Sequence, residues 1–344
     1  MILDPILDIF RGRAITIPPP DGAFHPNTAL DDAKAFAELP DADNLCRAGD
    51  RLLASSNDGL YALSDERAPD RIETFPAAIT ALAASADGTL AVALDDGTLT
   101  EAGATVELPS GVGCITALAY APDGSLWLAN GSDRHSVSGW VADLMEKNAA
   151  GSVWRRAPGG SLTRVADGLE WPYGLLPDGD GAVVAESWRH RLVRVGTNGV
   201  RPVLEHLPGY PARLSPAAGG GAWLAIFAPR NRLIEFVLQE KHYRHDMMAS
   251  VPREFWIAPA LSSGNSFLEP LQCGAIRSMG VHKAWSPSRS GGFVVRLDAD
   301  LVPRSSLHSR ANGHRHGTTS VIESGGRLLV ASRGGNCVLA GEAL

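Results

Sequence analysis

A repeated strand–turn–strand unit is the feature of this sequence that most restricts its fold. Six segments each combine a short apolar strand, a turn containing Asp or Gly, and a second apolar strand. The first strands of the six units include residues 43–45, 80–82, 116–118, 173–175, 212–214 and 319–321. The first three units start about 36 residues apart, which is the period expected of a four-stranded propeller blade.

Further strands with apolar–polar alternation follow most of these units. We predict them at residues 59–63, 151–154, 191–195, 232–237 and 293–297. Six such units closing into a ring leave no free sheet edge. A β-sandwich is the alternative, but its strands do not recur at a fixed period of this length. We therefore predict an all-β fold, a six-bladed β-propeller that forms one domain over residues 1–344.

An insertion interrupts the repeat at about residues 231–290, and we predict it between blades five and six. It is expected to be partly helical, with one helix over residues 240–245, and lid-like. A second short helix is predicted over residues 141–146. The insertion is rich in aromatic and apolar side chains, so we expect it to cap the propeller or to form a homodimer contact.

Composition excludes several classes of protein. The 31 basic and 38 acidic side chains give a net charge of −7 without a basic cluster, so neither nucleic acid nor an anionic membrane is an expected partner. No apolar run approaches the roughly 20 residues of a membrane span. The first five residues do not resemble a secretory signal. Four widely spaced cysteines, without a CxxC pair, indicate reduced thiols and a cytoplasmic location.

Several runs of residues resemble strictosidine-synthase-like proteins. They are residues 168–175 with 184–192, residues 207–211 with 221–225, and residues 318–328. That family belongs to a larger group of six-bladed propellers with the SMP-30/gluconolactonase proteins and the paraoxonase-like lactonases. The resemblance implies a funnel over a central tunnel. It does not fix one chemistry, because the members of the group do not share one.

In a propeller, each inner strand presents one of its first residues to the axis. These six positions, which we call slots, are Asp43, Thr80, Thr116, Tyr173, Ala212 and Thr319, and Arg213 follows the fifth slot. In the metal-dependent hydrolases of the group, the slots hold Glu, Asn, Asn and an Asp–Asn pair around calcium or another divalent ion. Calcium needs about six to eight oxygen ligands. Only Asp43 is a carboxylate here, so we predict no metal, with calcium or another divalent ion disfavoured.

Arg213 would instead supply the positive charge on the axis, with Asp43 as its partner across the tunnel. The alternative is that Arg213 turns outward or bonds the carbonyls of the blades. In true strictosidine synthases a Glu in the sixth slot exchanges the proton. Thr319 stands there, and a neutral hydroxyl cannot do so, which argues against strictosidine synthesis.

The loop at residues 130–135 suggests a hydrolytic role. Asp133 could orient His135, which could activate water against a lactone or ester carbonyl, while Arg213 or Tyr173 stabilises the oxyanion. The alternative is an ordinary polar turn with a solvated His135. No GxSxG elbow is present. The sequence also contains His314 and His316 on one face of a strand, where a metal ligand pair and a polar linker are equally good explanations.

The leading hypothesis is therefore a small-molecule hydrolase acting on a lactone or ester without a full metal site. The predicted catalytic residues are Asp43, His135, Arg213 and Tyr173. The predicted substrate-binding residues are Thr80, Thr116, Asn130, Thr319 and Trp188. A non-catalytic protein that binds an anionic small molecule or a partner through Arg213 is the alternative, and a lyase or condensing enzyme is the weaker one.

Overall fold

The computed structural model describes residues 17–65, 67–264, 269, 277–278, 281–282 and 288–342. Six four-stranded antiparallel sheets follow one another around a ring, so the predicted six-bladed β-propeller is confirmed. The strands of blade one are Ala42–Ala48, Arg51–Ser56, Gly59–Leu63 and Asp70–Thr74. Blade two has Ile79–Ala84, Leu90–Leu94, Leu99–Glu101 and Ala104–Thr105. Blade three has Ile115–Tyr120, Leu126–Asn130, Gly151–Arg156 and Leu162–Leu169.

The other three blades include one that joins the two ends of the described chain. Blade four has Pro172–Asp178, Gly181–Glu186, Arg191–Gly196 and Gly199–Leu204. Blade five has Gly209–Pro216, Ala222–Pro229, Gly292–Leu297 and Pro303–Ser309. Blade six has Thr318–Ser324, Arg327–Ser332, Cys337–Glu342 and, as its outer strand, Lys34–Glu38. Because an early strand completes the last blade, the ring is closed by backbone hydrogen bonds.

The insertion lies elsewhere than expected. It separates the second and third strands of blade five, whereas we predicted it between blades five and six. The predicted strand at residues 232–237 is wrong, because Arg232–Gln239 is a helix. Asn231 caps that helix by accepting hydrogen bonds from the backbone N–H groups of Leu233 and Ile234. Its buried apolar residues recur with a helical period rather than alternating, and Gly292–Leu297 is the strand that pairs at that position.

The other helices are short. Trp140–Glu146 and Lys241–Ser250 confirm the two predicted helical segments. The remaining helical turns are Gly22–Phe24, Ala29–Asp32, Val137–Gly139, Ser187–Arg189 and Arg253–Phe255. A two-stranded ribbon of Arg277–Ser278 and Val281–His282 belongs to the insertion, part of which falls outside the described residues.

Small and branched side chains fill the layers between neighbouring blades. Between blades two and three, for example, the core contains Ala81, Ala91, Ala93 and Leu128, all almost fully buried. Small residues let the twisted sheets approach closely, which places the inner strands around a narrow axis. None of the helices in the described ranges has the length and apolar character that crossing a membrane requires.

Candidate functional site at the tunnel axis

A bulge in every inner strand places the slot side chains. In blades two, three, four and six the ladder skips one residue, and that residue is Thr80, Thr116, Tyr173 or Thr319. In blades one and five, two consecutive residues of the inner strand lie opposite a single residue of the second strand. These pairs are residues 43–44 and 212–213. A bulge re-aims a side chain out of the normal alternation. The same local device, repeated six times, therefore carries the slot residues around one axis.

Arg213, on the inner strand of blade five, donates hydrogen bonds to groups on three other blades. Its Nη1 donates to Asp43 Oδ1 at 2.5 Å and to the Thr319 carbonyl at 3.4 Å. Its Nη2 donates to the Thr80 carbonyl at 2.7 Å. Both Arg213 and Asp43 are buried. The predicted pairing of Arg213 with Asp43 is thus present, and so are the carbonyl contacts of the alternative prediction.

Tyr173 completes this central group from blade four. The Arg213 guanidinium carbon lies 5.0 Å from the centroid of the Tyr173 ring, a cation–π distance. Burial, together with the charge of Asp43, raises the pKa of the Tyr173 phenol. The phenol is therefore neutral at physiological pH. One guanidinium meets groups contributed by blades one, two, four and six.

The charge state of Asp43 is set by burial and by two neighbouring arginines, Arg213 and Arg333. Burial raises the pKa of the Asp43 carboxyl, but the charges of Arg213 and Arg333 and the hydrogen bond from Arg213 outweigh burial and hold it below its ordinary value. The carboxylate is consequently ionised over the physiological range. An ionised carboxylate held by two arginines is a poor proton acceptor, so the geometry favours a fixed charge at Asp43 over a general base.

Gly174 permits this arrangement. A Cβ on Gly174 would lie 2.3 Å from the Ala212 carbonyl and 2.9 Å from the Arg213 Cα. Both contacts are with backbone, which cannot move aside as a flexible side chain would. The glycine after the Tyr173 bulge therefore makes room for the Arg213 bulge on the next blade.

Arg333, which the sequence analysis missed, links the axis to a cavity. It follows the second strand of blade six, and its Nη1 lies 3.4 Å from Asp43 Oδ2. Its Nε lies 3.9 Å from Asp41 Oδ1 and has no hydrogen-bond acceptor among the described residues. The side chain is 30% exposed. Its partner Asp43 was recognised as a slot residue, but nothing in the sequence pattern of blade six distinguishes Arg333 from other loop arginines.

The cavity beside Arg333 has a volume of about 660 Å³. Its wall combines the apolar side chains of Trp140, Val141, Trp256 and Leu261 with the cations Arg253, Arg289 and Arg333 and the acids Asp41 and Glu254. Volumes of about 300–1,000 Å³ with apolar walls and a few polar groups are typical of small-molecule sites. We call this space the funnel cavity.

Three of the predicted site residues have structural partners. Thr116 Oγ1 donates to the Pro172 carbonyl at 2.5 Å, which ties blade three to blade four. Asn130 accepts from the backbone N–H of Cys114 at 2.9 Å and shapes the loop that follows it. Trp188 donates from Nε1 to Asp143 Oδ1 at 2.9 Å. Their predicted roles in substrate binding stay predictions.

His135 pairs with a carboxylate that does not belong to the central group. Its Nε2 is 2.8 Å from Glu146 Oε2, on the short helix that follows the loop, and its predicted orienting partner Asp133 is exposed. The lining of the funnel cavity does not include His135. Its role as a base therefore stays a prediction, and the structure provides Glu146 rather than Asp133 as the carboxylate that orients it.

The donor set on the axis does not suit a divalent ion. Within the described ranges, no group of three or more His, Cys, Asp or Glu side chains converges as a metal site would require. The one slot carboxylate, Asp43, is already bonded to Arg213, and a second cation would be repelled by it. The slot residues therefore offer a divalent ion too few oxygen ligands.

Comparisons with known proteins agree with this fold. No family model matches the chain. The adipocyte plasma membrane-associated protein of Danio rerio is 28% identical over 220 residues, which cover 56% of this chain and 53% of that protein. The match thus spans about half the length of the curated relative.

Solved structures share the architecture over most of the chain. A gluconolactonase from Xanthomonas campestris aligns with a TM-score of 0.54 at 15% identity, over 96% of this chain and 99% of that one. The calcium-binding protein regucalcin from Agrobacterium tumefaciens aligns with a TM-score of 0.52 at 16% identity, over 88% and 85%. At these identities the similarity establishes the six-bladed propeller fold. The strictosidine-synthase-like resemblance stays a prediction.

Proposed function

We propose that the protein binds a small, carboxylate-bearing molecule in the funnel cavity. The observation that carries this proposal is that three arginines, Arg253, Arg289 and Arg333, line one cavity of about 660 Å³. Two acids, Asp41 and Glu254, share the wall, so the lining has a net positive charge in a protein whose overall charge is −7. An anion is the complementary ligand.

Arg333 is the arginine that we assign to the carboxylate. The two Nη atoms of Arg213 donate to Asp43 and to two backbone carbonyls, whereas Arg333 makes one longer hydrogen bond to Asp43, at 3.4 Å, and lies 3.9 Å from Asp41. A planar guanidinium binds a carboxylate with two parallel hydrogen bonds, which gives both affinity and orientation. The apolar side chains of Trp140 and Trp256 would cover the rest of the molecule.

Binding can be tested with acetate, benzoate and gluconate as probes and with benzyl alcohol as the neutral counterpart of benzoate. We expect a carboxylate, but not the alcohol, to raise the melting temperature through binding to the native state. Arg333→Gln should raise the dissociation constant of the carboxylate at least about tenfold, since a hydrogen bond to a charged group contributes about 1.5–3 kcal/mol.

Arg164→Gln is the matched control, because this arginine lies on the outer strand of blade three with its side chain 57% exposed. The proposal fails if no carboxylate stabilises the protein, if benzyl alcohol does so as well as benzoate, or if the two variants bind the carboxylate alike.

Lactone or ester hydrolysis in the same cavity is the second candidate. It is favoured by Asp41, a half-exposed carboxylate that lines the cavity 3.9 Å from the Arg333 Nε. Asp41 could take a proton from water while Arg333 stabilises the oxyanion that forms on the carbonyl. The gluconolactonase that shares the fold makes a sugar lactone the first substrate to try.

The assay uses a pH-stat to measure the protons released as glucono-δ-lactone is hydrolysed. Asp41→Asn should lower the rate at least about a hundredfold without unfolding the protein, because Asn tolerates the left-handed backbone of Asp41, whose φ is 51°. His135→Gln tests the residue that the sequence predicts as the base. Hydrolysis that depends on neither side chain would exclude both assignments.

A further inference from the structure

A buried chain of two hydroxyl groups and an imidazole lies outside the central group. Ser263 Oγ is 2.5 Å from Ser290 Oγ, and Ser290 Oγ is 2.8 Å from His316 Nδ1. His316 Nε2 is in turn 2.9 Å from the Arg310 carbonyl. These groups connect the insertion of blade five to the loop before blade six.

The direction of the hydrogen bonds follows from their chemistry. A carbonyl only accepts, so Nε2 of His316 carries the proton and, in the neutral ring, Nδ1 accepts. Ser290 must then donate to Nδ1, which leaves its oxygen to accept the hydrogen bond from Ser263. A proton can therefore move from Ser263 through Ser290 to His316 without any side chain turning.

The two ends of this hydrogen-bond chain differ in how far their side chains are buried. Ser290 and His316 are 0% and 3% exposed, whereas Ser263 is only partly buried. The residues before Ser263, Leu261 and Ser262, line the funnel cavity. Ser290 lines a separate pocket of about 310 Å³. The hydroxyl that can reach solvent is thus the one at the donating end.

The backbone holds this segment firmly. The Ala260 N–H donates to the Arg289 carbonyl at 3.0 Å, which sets the two serine segments side by side. A Cβ on Gly334 would lie 1.9 Å from the Leu261 carbonyl, so this glycine lets the segment rest against blade six. Such fixed geometry is what an activated nucleophile needs, because it avoids reorganisation during the reaction.

We propose that Ser263 is a nucleophile, activated by His316 through Ser290, that transfers acyl groups from small esters. Ser263 Oγ bonds to the carbonyl carbon while its proton passes to Ser290, and the proton of Ser290 passes to His316 Nδ1. The imidazolium then returns its proton to Ser290, and Ser290 passes its own proton to the departing alkoxide as the C–O bond breaks. Water hydrolyses the acyl-serine by the same route. Arg289, a buried cation that precedes Ser290 and whose Nε lies 3.9 Å from Glu269 Oε2, is the group that we assign to the oxyanion.

A fluorophosphonate probe with a short alkyl chain tests this proposal. Ser263 should form the P–O bond as fluoride leaves, giving one adduct by intact mass, located on Ser263 by peptide mapping. Ser263→Ala should remove the adduct. Ser290→Ala and His316→Gln should each slow labelling at least about tenfold, since positioned proton transfer contributes about 10²–10⁴-fold. Ser250→Ala is the control, because Ser250 is an exposed serine of the same insertion outside this hydrogen-bond chain, and it should label at the normal rate.

A second readout separates proton transfer from a structural effect. Deuterated water should slow the labelling of the wild-type protein, and this slowing should vanish in His316→Gln, while thermal melting confirms that each variant is folded. The proposal is overturned if Ser263 remains unlabelled under conditions that label a known serine hydrolase. It is equally overturned if Ser290→Ala and His316→Gln label as fast as the wild type. The adduct is read at Ser263 and requires no carboxylate, so its failure and the failure of carboxylate binding are separate outcomes.

Discussion

Replacing Arg213 by Met should destabilise the protein far more than an ordinary arginine substitution. The change keeps much of the side-chain volume but removes the cation, so Asp43 loses its 2.5 Å hydrogen bond and the Thr80 carbonyl loses its 2.7 Å donor. The buried carboxylate would keep only Arg333, at 3.4 Å. Removing one partner of a buried ion pair costs about 3–5 kcal/mol. This is a large part of the roughly 5–15 kcal/mol by which native proteins are stable.

Urea unfolding followed by tryptophan fluorescence measures this loss. Arg194→Met is the matched control, because Arg194 pairs with Asp178 at 2.7 Å but both side chains are at least 40% exposed. A surface pair of this kind contributes about 0–1 kcal/mol. The double variant Asp43→Asn/Arg213→Met should recover at least half of the loss, because it removes the buried carboxylate that the single variant leaves without its main partner.

Lowering the pH should narrow the difference in the free energy of unfolding between Arg213→Met and the wild type. In the wild type the pKa of Asp43 is lowered, so its contribution to stability is present above the unfolded value of 3.8 and is lost below it. Without Arg213, burial, the largest influence on this group, raises its pKa relative to the wild type, so falling pH protonates Asp43 in the variant before it does so in the wild type and relieves the buried charge. A loss no larger than that of Arg194→Met, or a difference unchanged by pH, would refute the assigned role of Arg213.

Three further predictions concern packing, pH and metal. Gly174→Ala should cost about 1–3 kcal/mol in urea unfolding, because the new Cβ meets the Ala212 carbonyl at 2.3 Å, whereas Gly341→Ala, with open space around it, should be near neutral. Burial lowers the pKa of His308 to about 4 from 6.5, so the unfolded chain binds more protons between these values. Stability should therefore rise by about 3 kcal/mol from pH 4 to pH 6.5, and His308→Asn should flatten that slope. Protein purified without chelator should carry no stoichiometric divalent ion by mass spectrometry, and EDTA should leave its melting temperature unchanged. A stoichiometric ion together with a drop in melting temperature would contradict the prediction of no metal.

The sequence predicted the repeated part of the structure well, because strand alternation and turn residues are local signals. The six inner strands and the slot residues, including the Asp43–Arg213 pair, follow directly from that repeat. The insertion was harder, because an apolar run such as residues 232–237 fits a strand or a buried helix. Its decisive signals were the capping Asn231 and the helical spacing of Ile234, Val237 and Leu238. Arg333 could not be found, because its importance depends on a contact with Asp43 across 290 residues.

The central guanidinium also explains why the chemistry of this propeller should lie beside its axis. A calcium ion coordinates about six to eight oxygens and can exchange a bound water for a substrate oxygen. A guanidinium has five N–H donors in one plane. The Nη1 and Nη2 groups of Arg213 donate to Asp43 and to the carbonyls of Thr80 and Thr319, and its Nε is buried without an acceptor among the described residues. Arg213 can therefore hold the blades together, but it has little capacity left for a ligand. The partly exposed cation that remains close to the axis is Arg333, and it faces the funnel cavity. A ligand should accordingly depend on Arg333 for affinity and on Arg213 for the stability of the fold.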